Sequence, residues 1–151
     1  MKIRLAHESD LAQLIALSEA ADSAAHWTHQ QWLDIFRCQS PERLAWIAEQ
    51  STEGEVRGIG FLVAQNGGPG WELENIAVLP EFRRHGAGRE LLSALLTHAR
   101  SLLAERILLE VRASNESAIR FYSLNGFRQL TRRRDYYRNP EDDALIFERE
   151  L

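Results

Sequence analysis

Ile76-Ala77-Val78-Leu79-Pro80-Glu81-Phe82-Arg83-Arg84-His85-Gly86-Ala87-Gly88-Arg89 decides how this chain is read. Trp71 to Val78 is rich in strand-forming residues and runs into a proline. Beyond Gly88, Leu91, Leu92, Leu95, Leu96, Ala99, Leu102 and Leu103 recur at helical period and form an apolar stripe. The segment is therefore a strand, a tight basic turn and a long helix in direct succession. The first N–H groups of a helix lack internal partners, and the helix dipole places partial positive charge there. Gly86 and Gly88 remove side chains that would obstruct an anion, while Arg83, Arg84 and Arg89 add charge around it. Such a turn suits a pyrophosphate. It is not a Walker loop, since no Lys-Ser/Thr pair follows the glycines, and its spacing departs from the dinucleotide fingerprint. The bland alternative is a helix start that is merely basic and glycine-rich.

Working outward, Arg106 to Arg112 reads as a strand and Asn115 to Leu124 as a short helix, with Gly126 placed for a left-handed closure. Phe127 to Tyr137 and Ala144 to Glu150 follow as strands. Upstream, Ile3 to Ala6 is a strand and His7 to Ala21 a helix with Glu8 and Asp10 in its first turn. Thr28 and Gln31 have capping-box spacing, with Trp27 and Trp32 at the staple positions around them. Arg43 to Glu49 and Val56 to Ala64 are strands joined across Gly54, and Asn66-Gly67-Gly68-Pro69-Gly70 turns the chain into the strand at Trp71. This order predicts an α/β (α+β) fold: a single mixed, mainly antiparallel sheet flanked by helices, with one central strand-helix-strand unit.

The 151 residues suit one domain, 1–151, and repeats or linker tracts are absent. With 44% apolar and 26% charged residues, the composition is that of a globular protein. No stretch approaches the roughly 20 apolar residues that span a bilayer. The N-terminus turns polar at His7-Glu8, before a signal-peptide core forms, so the expected location is cytoplasmic, with no membrane partner. A net charge of −4 argues against nucleic-acid binding. The one cysteine, Cys38, excludes an intramolecular disulfide, and the five histidines show no metal-ligand spacing, so no metal is expected.

A second informative segment is Leu109-Glu110-Val111-Arg112-Ala113-Ser114-Asn115 with Ala118, Tyr122, Gly126 and Phe127. Asn115 and Tyr122 lie two helical turns apart, so both can face one cleft. Without a cleft, Tyr122 is an amphipathic core residue and Glu110 a solvated strand position.

Taken together, these segments resemble the GNAT superfamily of N-acetyltransferases. Its Gln/Arg-x-x-Gly-x-Gly/Ala signature matches Arg83-Arg84-His85-Gly86-Ala87-Gly88. Its Asn-x-x-Ala-x-x-x-Tyr-x-x-x-Gly-Phe pattern matches Asn115, Ala118, Tyr122, Gly126 and Phe127. Within the superfamily, the chain is similar to bacterial ribosomal-protein alanine N-acetyltransferases at Asn75 to Val78, Leu109 to Asn115, Arg133-Arg134-Asp135-Tyr136-Tyr137 and Asp142-Asp143-Ala144. The likeness covers Asn75 to Ile146, and upstream rests on Trp27-Thr28 and the strand-helix plan.

The resemblance implies acetyl-CoA as co-substrate and a primary amine as acceptor. Ile76, Ala77 and Val78 would offer backbone groups to the acetyl and pantetheine portions, and Arg83, Arg84, His85, Gly86, Ala87, Gly88 and Arg89 would surround the pyrophosphate. Asn115 would bond the pantetheine arm. Glu110 would serve as general base, and Tyr122 as general acid toward the departing thiolate. Trp27, Tyr136 and Tyr137 are the candidate acceptor contacts. An α-amino group, of pKa about 8, loses its proton more readily than a lysine near about 10.4, so a carboxylate acting through water suffices. The implied acceptor is the N-terminal alanine of a ribosomal protein. The alternatives are a small amine (a polyamine, amino acid or aminoglycoside) and a non-catalytic acyl-CoA-binding module. The module has no need of both Glu110 and Tyr122.

Overall fold

The computed structural model of this protein describes residues 1–151. Strand β1 (Lys2–Leu5) leads through a single 3-10 turn, Glu8–Asp10, into helix α1 (Leu11–Ala20). The helix expected from His7 is thus tightened at its start. Asp10 is the cause, because its carboxylate accepts from the His7 N–H at 2.8 Å and from the Arg4 guanidinium at 2.8 and 2.9 Å.

Helix α2 (His29–Arg37) begins as its sequence dictates. The Gln31 N–H donates to Thr28 Oγ1 at 3.2 Å, and the Thr28 N–H donates to Gln31 Oε1 at 2.8 Å. These bonds occupy donors that the first helical turn would otherwise leave bare, a gain of about 1 kcal/mol. Trp27 and Trp32 close the staple with ring centroids 5.0 Å apart, and Trp32 meets Phe61 edge-on at 5.4 Å.

Strands β2 (Arg43–Thr52) and β3 (Glu55–Asn66) form a hairpin. Its turn residues, Glu53 and Gly54, both have positive φ, at 52° and 87°, as a two-residue turn between right-twisted strands requires. Strand β4 (Gly70–Val78) pairs antiparallel with β3. Helix α3 (Ala87–Ser101) then crosses to β5 (Arg106–Arg112), which lies parallel to β4. Helix α4 (Glu116–Leu124) is capped by Asn115 and closed by Gly126 at φ 81°. Strands β6 (Arg128–Tyr137) and β7 (Asp142–Glu150) complete a seven-stranded sheet in the order β1-β2-β3-β4-β5-β7-β6. Every neighbouring pair except β4 and β5 is antiparallel.

Each face of the sheet buries its own core. Leu91, Leu92, Leu95 and Ala99 of α3 pack on Trp46, Leu62, Trp71, Ile107 and Leu109. On the other face, Leu14 and Leu17 of α1 and Trp32 and Ile35 of α2 pack on Ile47, Phe61, Val63 and Ala77. The α3 stripe stops short of the expected Leu102 and Leu103. The Leu103 and Ala104 N–H groups turn back to the Arg100 and Ala99 carbonyls, both at 3.0 Å, in a Schellman closure. Leu103 holds its left-handed position at φ 57° and is 89% exposed.

The Arg4 guanidinium, aided by the His7 N–H and opposed by partial burial, holds the Asp10 carboxyl down at about 2. A lowered carboxyl pKa stabilises the fold above its unfolded value, and the gain is lost as pH falls through the folded value. Asp10→Asn should therefore cost about 1–2 kcal/mol at neutral pH, after allowance for solvent screening. The deficit should shrink between about pH 4 and pH 2. Urea unfolding of both proteins across that range checks it, and a deficit undiminished in acid contradicts it.

Candidate active site

The sheet opens between β4 and β5. Their parallel pairing runs from Gly70↔Arg106 to Leu73↔Leu109 and stops. A bulge at Glu74, between the pairs Ala64↔Leu73 and Val63↔Asn75, shifts the β4 register at that point. From there β4 continues alongside β3 as far as Val78, while β5 continues alongside β7 as far as Arg112.

Hydrogen-bond parity shows which backbone groups line the gap. The Leu79 N–H donates to the Ile59 carbonyl at 2.9 Å, so Ala77, two residues earlier, also bonds toward β3. Ile76 and Val78 then turn their N–H and C=O groups the other way, into the opening. On the opposite side, the Ala113 N–H donates to the Asp143 carbonyl at 2.9 Å, which leaves Glu110 and Arg112 facing the same opening. The Val78 carbonyl accepts from Arg83 Nε at 3.1 Å, and the Arg112 carbonyl accepts from the Asn115 N–H at 3.0 Å. The Glu110 N–H is spent on the last parallel bond, to the Leu73 carbonyl, so the Ile76, Val78 and Arg112 N–H groups remain. Ala77, expected among the backbone donors, is spent on β3 and buries its methyl in the α1/α2-side core.

At one end of the gap lies the start of α3. Gly86 is its N-cap at φ 90°, with no side-chain cap, and Arg84 is also left-handed at φ 62°. The N–H groups of Arg84, His85, Gly86, Ala87, Gly88 and Arg89 donate to no protein acceptor. A Cβ on Gly86 would meet nothing within 4 Å, and one on Gly88 would touch the Phe121 ring at 3.5 Å. Arg84, His85 and Arg89 are exposed. Arg83 stands apart, because its N–H donates to the Pro80 carbonyl and its guanidinium contacts Asp22, Ser23 and the Val78 carbonyl.

Glu110 and Tyr122 lie on opposite faces of the sheet. Leu109 and Val111 belong to the α3-side core, so the intervening Glu110 projects toward the α1/α2 side. Tyr122, from α4, lies in the α3-side core against Phe121 at 5.3 Å and Phe127 at 5.7 Å. It is 6% exposed, and burial alone pushes its phenol above the ordinary tyrosine value, so it stays protonated at neutral pH. Glu110 is 29% exposed and receives Arg133 Nη1 at 3.3 Å. Beside it, the Tyr137 phenol is raised by burial and then by the charge of Glu110, while the Arg112 guanidinium lies 4.2 Å from its ring centroid.

Tyr136 is more exposed and stands edge-on to Tyr137 at 5.2 Å. Asn115 spends Oδ1 on the Ala118 N–H at 3.1 Å, which leaves its amide nitrogen to donate. Trp27 sits in the α2 staple. Two residues quoted for the resemblance have supporting roles that the sequence does not assign. Asn75 is 4% exposed and accepts the Ala25 N–H at 3.3 Å. Asp142 takes the Ser114 N–H at 3.1 Å and fixes the turn before α4. Both join distant parts of the chain, so no local spacing announces them.

Comparison with known proteins agrees with this fold. The model of the acetyltransferase (GNAT) family matches residues 11–127. A [ribosomal protein bS18]-alanine N-acetyltransferase from Salmonella typhimurium is 45% identical over 76 residues, which are 49% of this chain and 51% of that protein. An N-alpha-acetyltransferase from Sulfurisphaera tokodaii is 41% identical over 48% of this chain and 44% of its own length. The chain thus spans about half the length of the curated relatives it matches. In structure, the ribosomal-protein-S18-alanine N-acetyltransferase from Escherichia coli superposes with a TM-score of 0.83 at 27% identity, over 99% of this chain and 93% of that one. An Arabidopsis thaliana NAA60 structure in complex with acetyl-CoA gives 0.83 at 18% identity over 99% and 98% of the two chains, a likeness of fold.

The turn geometry predicts a contrast between its glycines. Gly86→Ala should destabilise the protein by about 1 kcal/mol, because its φ is left-handed. Gly88→Ala should be nearly neutral, because the new methyl meets Phe121 at ordinary contact distance. Thermal melts of the two variants read this out, and equal losses would contradict the turn as described.

Proposed function

Because the chain belongs to the acetyltransferase (GNAT) family, we propose that it transfers an acetyl group from acetyl-CoA to a protein N-terminal amine. The observation that carries the reading is the gap itself. It ends at unpaired helix-start amides, with the Glu110 carboxylate on one face of the sheet and the protonated Tyr122 phenol on the other. The residues fit the co-substrate. The amides of Arg84 to Arg89 suit a diphosphate. The Ile76 N–H and the Asn115 amide suit the pantetheine arm.

In this mechanism Glu110 takes a proton from the acceptor ammonium, directly or through water. The freed amine forms a C–N bond to the thioester carbonyl carbon. The Val78 N–H, aimed into the gap, donates to the carbonyl oxygen as negative charge gathers there. When the C–S bond breaks, Tyr122 delivers its proton to the sulfur. Its raised pKa makes it a reluctant acid in water, but thiolate charge is equally disfavoured in that apolar pocket. Hydroxyl and sulfur are thus matched by their shared surroundings.

The acceptor follows from the relatives. Proteins named as bS18-alanine N-acetyltransferases support the N-terminal alanine of a ribosomal protein. Tyr136 and Tyr137, on the Glu110 side, would contact it. The proposed location is the cytoplasm, and no helix of the fold is long and apolar enough to cross a membrane.

A panel of free-amino peptides set against polyamines, amino acids and aminoglycosides, scored by coenzyme A release, tests the assignment. Alanine-first peptides should win, and preference for a small amine would overturn the acceptor. Tyr122→Phe keeps the ring packing and should lower turnover roughly 10²-fold with little change in acetyl-CoA affinity. Unchanged turnover removes Tyr122 from the chemistry. Glu110→Gln should cripple activity near neutral pH and recover in part as pH rises and free amine accumulates. A pH profile parallel to that of the wild type would assign the base elsewhere.

A further inference from the structure

Arg83 opens the glycine-bearing turn, where its charge would ordinarily be assigned to phosphate. Most of its donors are committed elsewhere. The N–H donates to the Pro80 carbonyl at 3.3 Å and Nε donates to the Val78 carbonyl at 3.1 Å. Nη2 reaches the Asp22 carboxylate and, at 3.2 Å, Ser23 Oγ. One planar fork therefore bridges the end of β4 and the segment that joins α1 to α2.

A second anchor reaches the same segment. The buried Asn75 side chain accepts the Ala25 N–H at 3.3 Å and faces the Ala25 carbonyl at 3.5 Å. Asn75 lies in β4 where it has parted from β5, and Arg83, just beyond that strand, is tied back to its last residue, Val78. Ala21 and Ala24 of the segment pack with Ala77 and Leu79, which places it on the Glu110 side of the sheet. There it stands at the β4 flank of the opening, while Arg133 and Tyr137 stand at the β5 flank. Its own backbone supplies little else, chiefly the Ala21 N–H to Leu17 and the Ala24 N–H to Ala21.

We propose that Arg83 is a positioning residue for the acceptor amine: through Asp22 and Ser23 it fixes the 22–25 segment as one wall of the acceptor mouth. This role rests on the acetyltransferase reading. It separates the two substrates energetically. Release of the clamp lets the segment sample more conformations, and the cost of reordering it falls on acceptor binding. The helix-start amides that face the diphosphate are untouched. The pair is partly solvated, with Arg83 37% and Asp22 74% exposed, so the effect is moderate.

The test compares Arg83→Gln, Asp22→Asn and the double variant. Glutamine also satisfies the superfamily signature at this position, so the fold should tolerate it. Each single change should raise the acceptor KM about fivefold, and the double change should add little, as for two ends of one interaction. The acetyl-CoA dissociation constant, measured by calorimetry, should stay within about twofold. Hydrogen exchange at the 22–25 amides should quicken in all three variants. The proposal is overturned if Arg83→Gln weakens acetyl-CoA while Asp22→Asn is silent, which would make Arg83 a phosphate ligand. It is also overturned if acceptor KM or exchange is unmoved. Should the wild type bind no acetyl-CoA, the acetyltransferase reading fails alone. The exchange rates then decide the clamp: quickened exchange upholds it and unchanged exchange ends it.

Discussion

The parallel pairing of β4 and β5 ends at Leu73 and Leu109, and the site is a consequence of that ending. A sheet interior normally satisfies every backbone N–H and C=O, and a buried group left bare costs a kilocalorie or more, of the order of about 1–3 kcal/mol. Here Ile76, Val78 and Arg112 direct such groups into an opening without a strand to receive them. The bulge at Glu74 makes this possible by letting β4 stay with β3 while β5 stays with β7. An extended ligand with amide groups of its own can enter as a substitute strand. The fold thus keeps an unfinished edge inside its sheet, and the chemistry occupies it.

What surrounds the opening holds it in shape. The α3 core presses on one face through Leu91, Leu92 and Leu95, and the α1/α2 core on the other through Leu14 and Trp32. Glu74 itself is fixed by the Arg43 guanidinium at 2.8 and 3.1 Å, which pins the bulge in place. Asp142 fixes the approach to α4, the helix that carries Tyr122. Glu110 keeps contact with solvent, while Tyr122 is enclosed. That asymmetry suits the roles proposed for them, a base that releases protons to water and an acid that keeps its proton until the thiolate departs.

Much of this was legible in the chain. The strand-turn-helix at Ile76 to Arg89 reads correctly because glycine position, charge and helical period agree with one another. The Thr28 capping box and the Gly126 closure read correctly because each depends on neighbours within four residues. The misreadings arise where a residue's partner is not set by its immediate sequence neighbours. Leu102 and Leu103 fit the apolar period but lie in a Schellman closure, since periodicity does not register where backbone bonds turn back. Ala77 was grouped with Ile76 and Val78 because sequence does not say which residues of a strand bond to which neighbour. Arg83 carries the charge a phosphate wants, but its partner Asp22 is sixty-one residues distant in the chain. Such partnerships belong to the tertiary structure alone.

The dependence of the whole site on free helix-start amides beside an unfinished sheet edge is open to direct observation by amide NMR during titration with acetyl-CoA. The resonances of Arg84 to Arg89 and of Ile76 and Val78 should move together and saturate, while Ala77, bonded to β3, moves less. Shifts that avoid these amides, or fail to saturate, would mean that the opening between β4 and β5 does not hold the co-substrate.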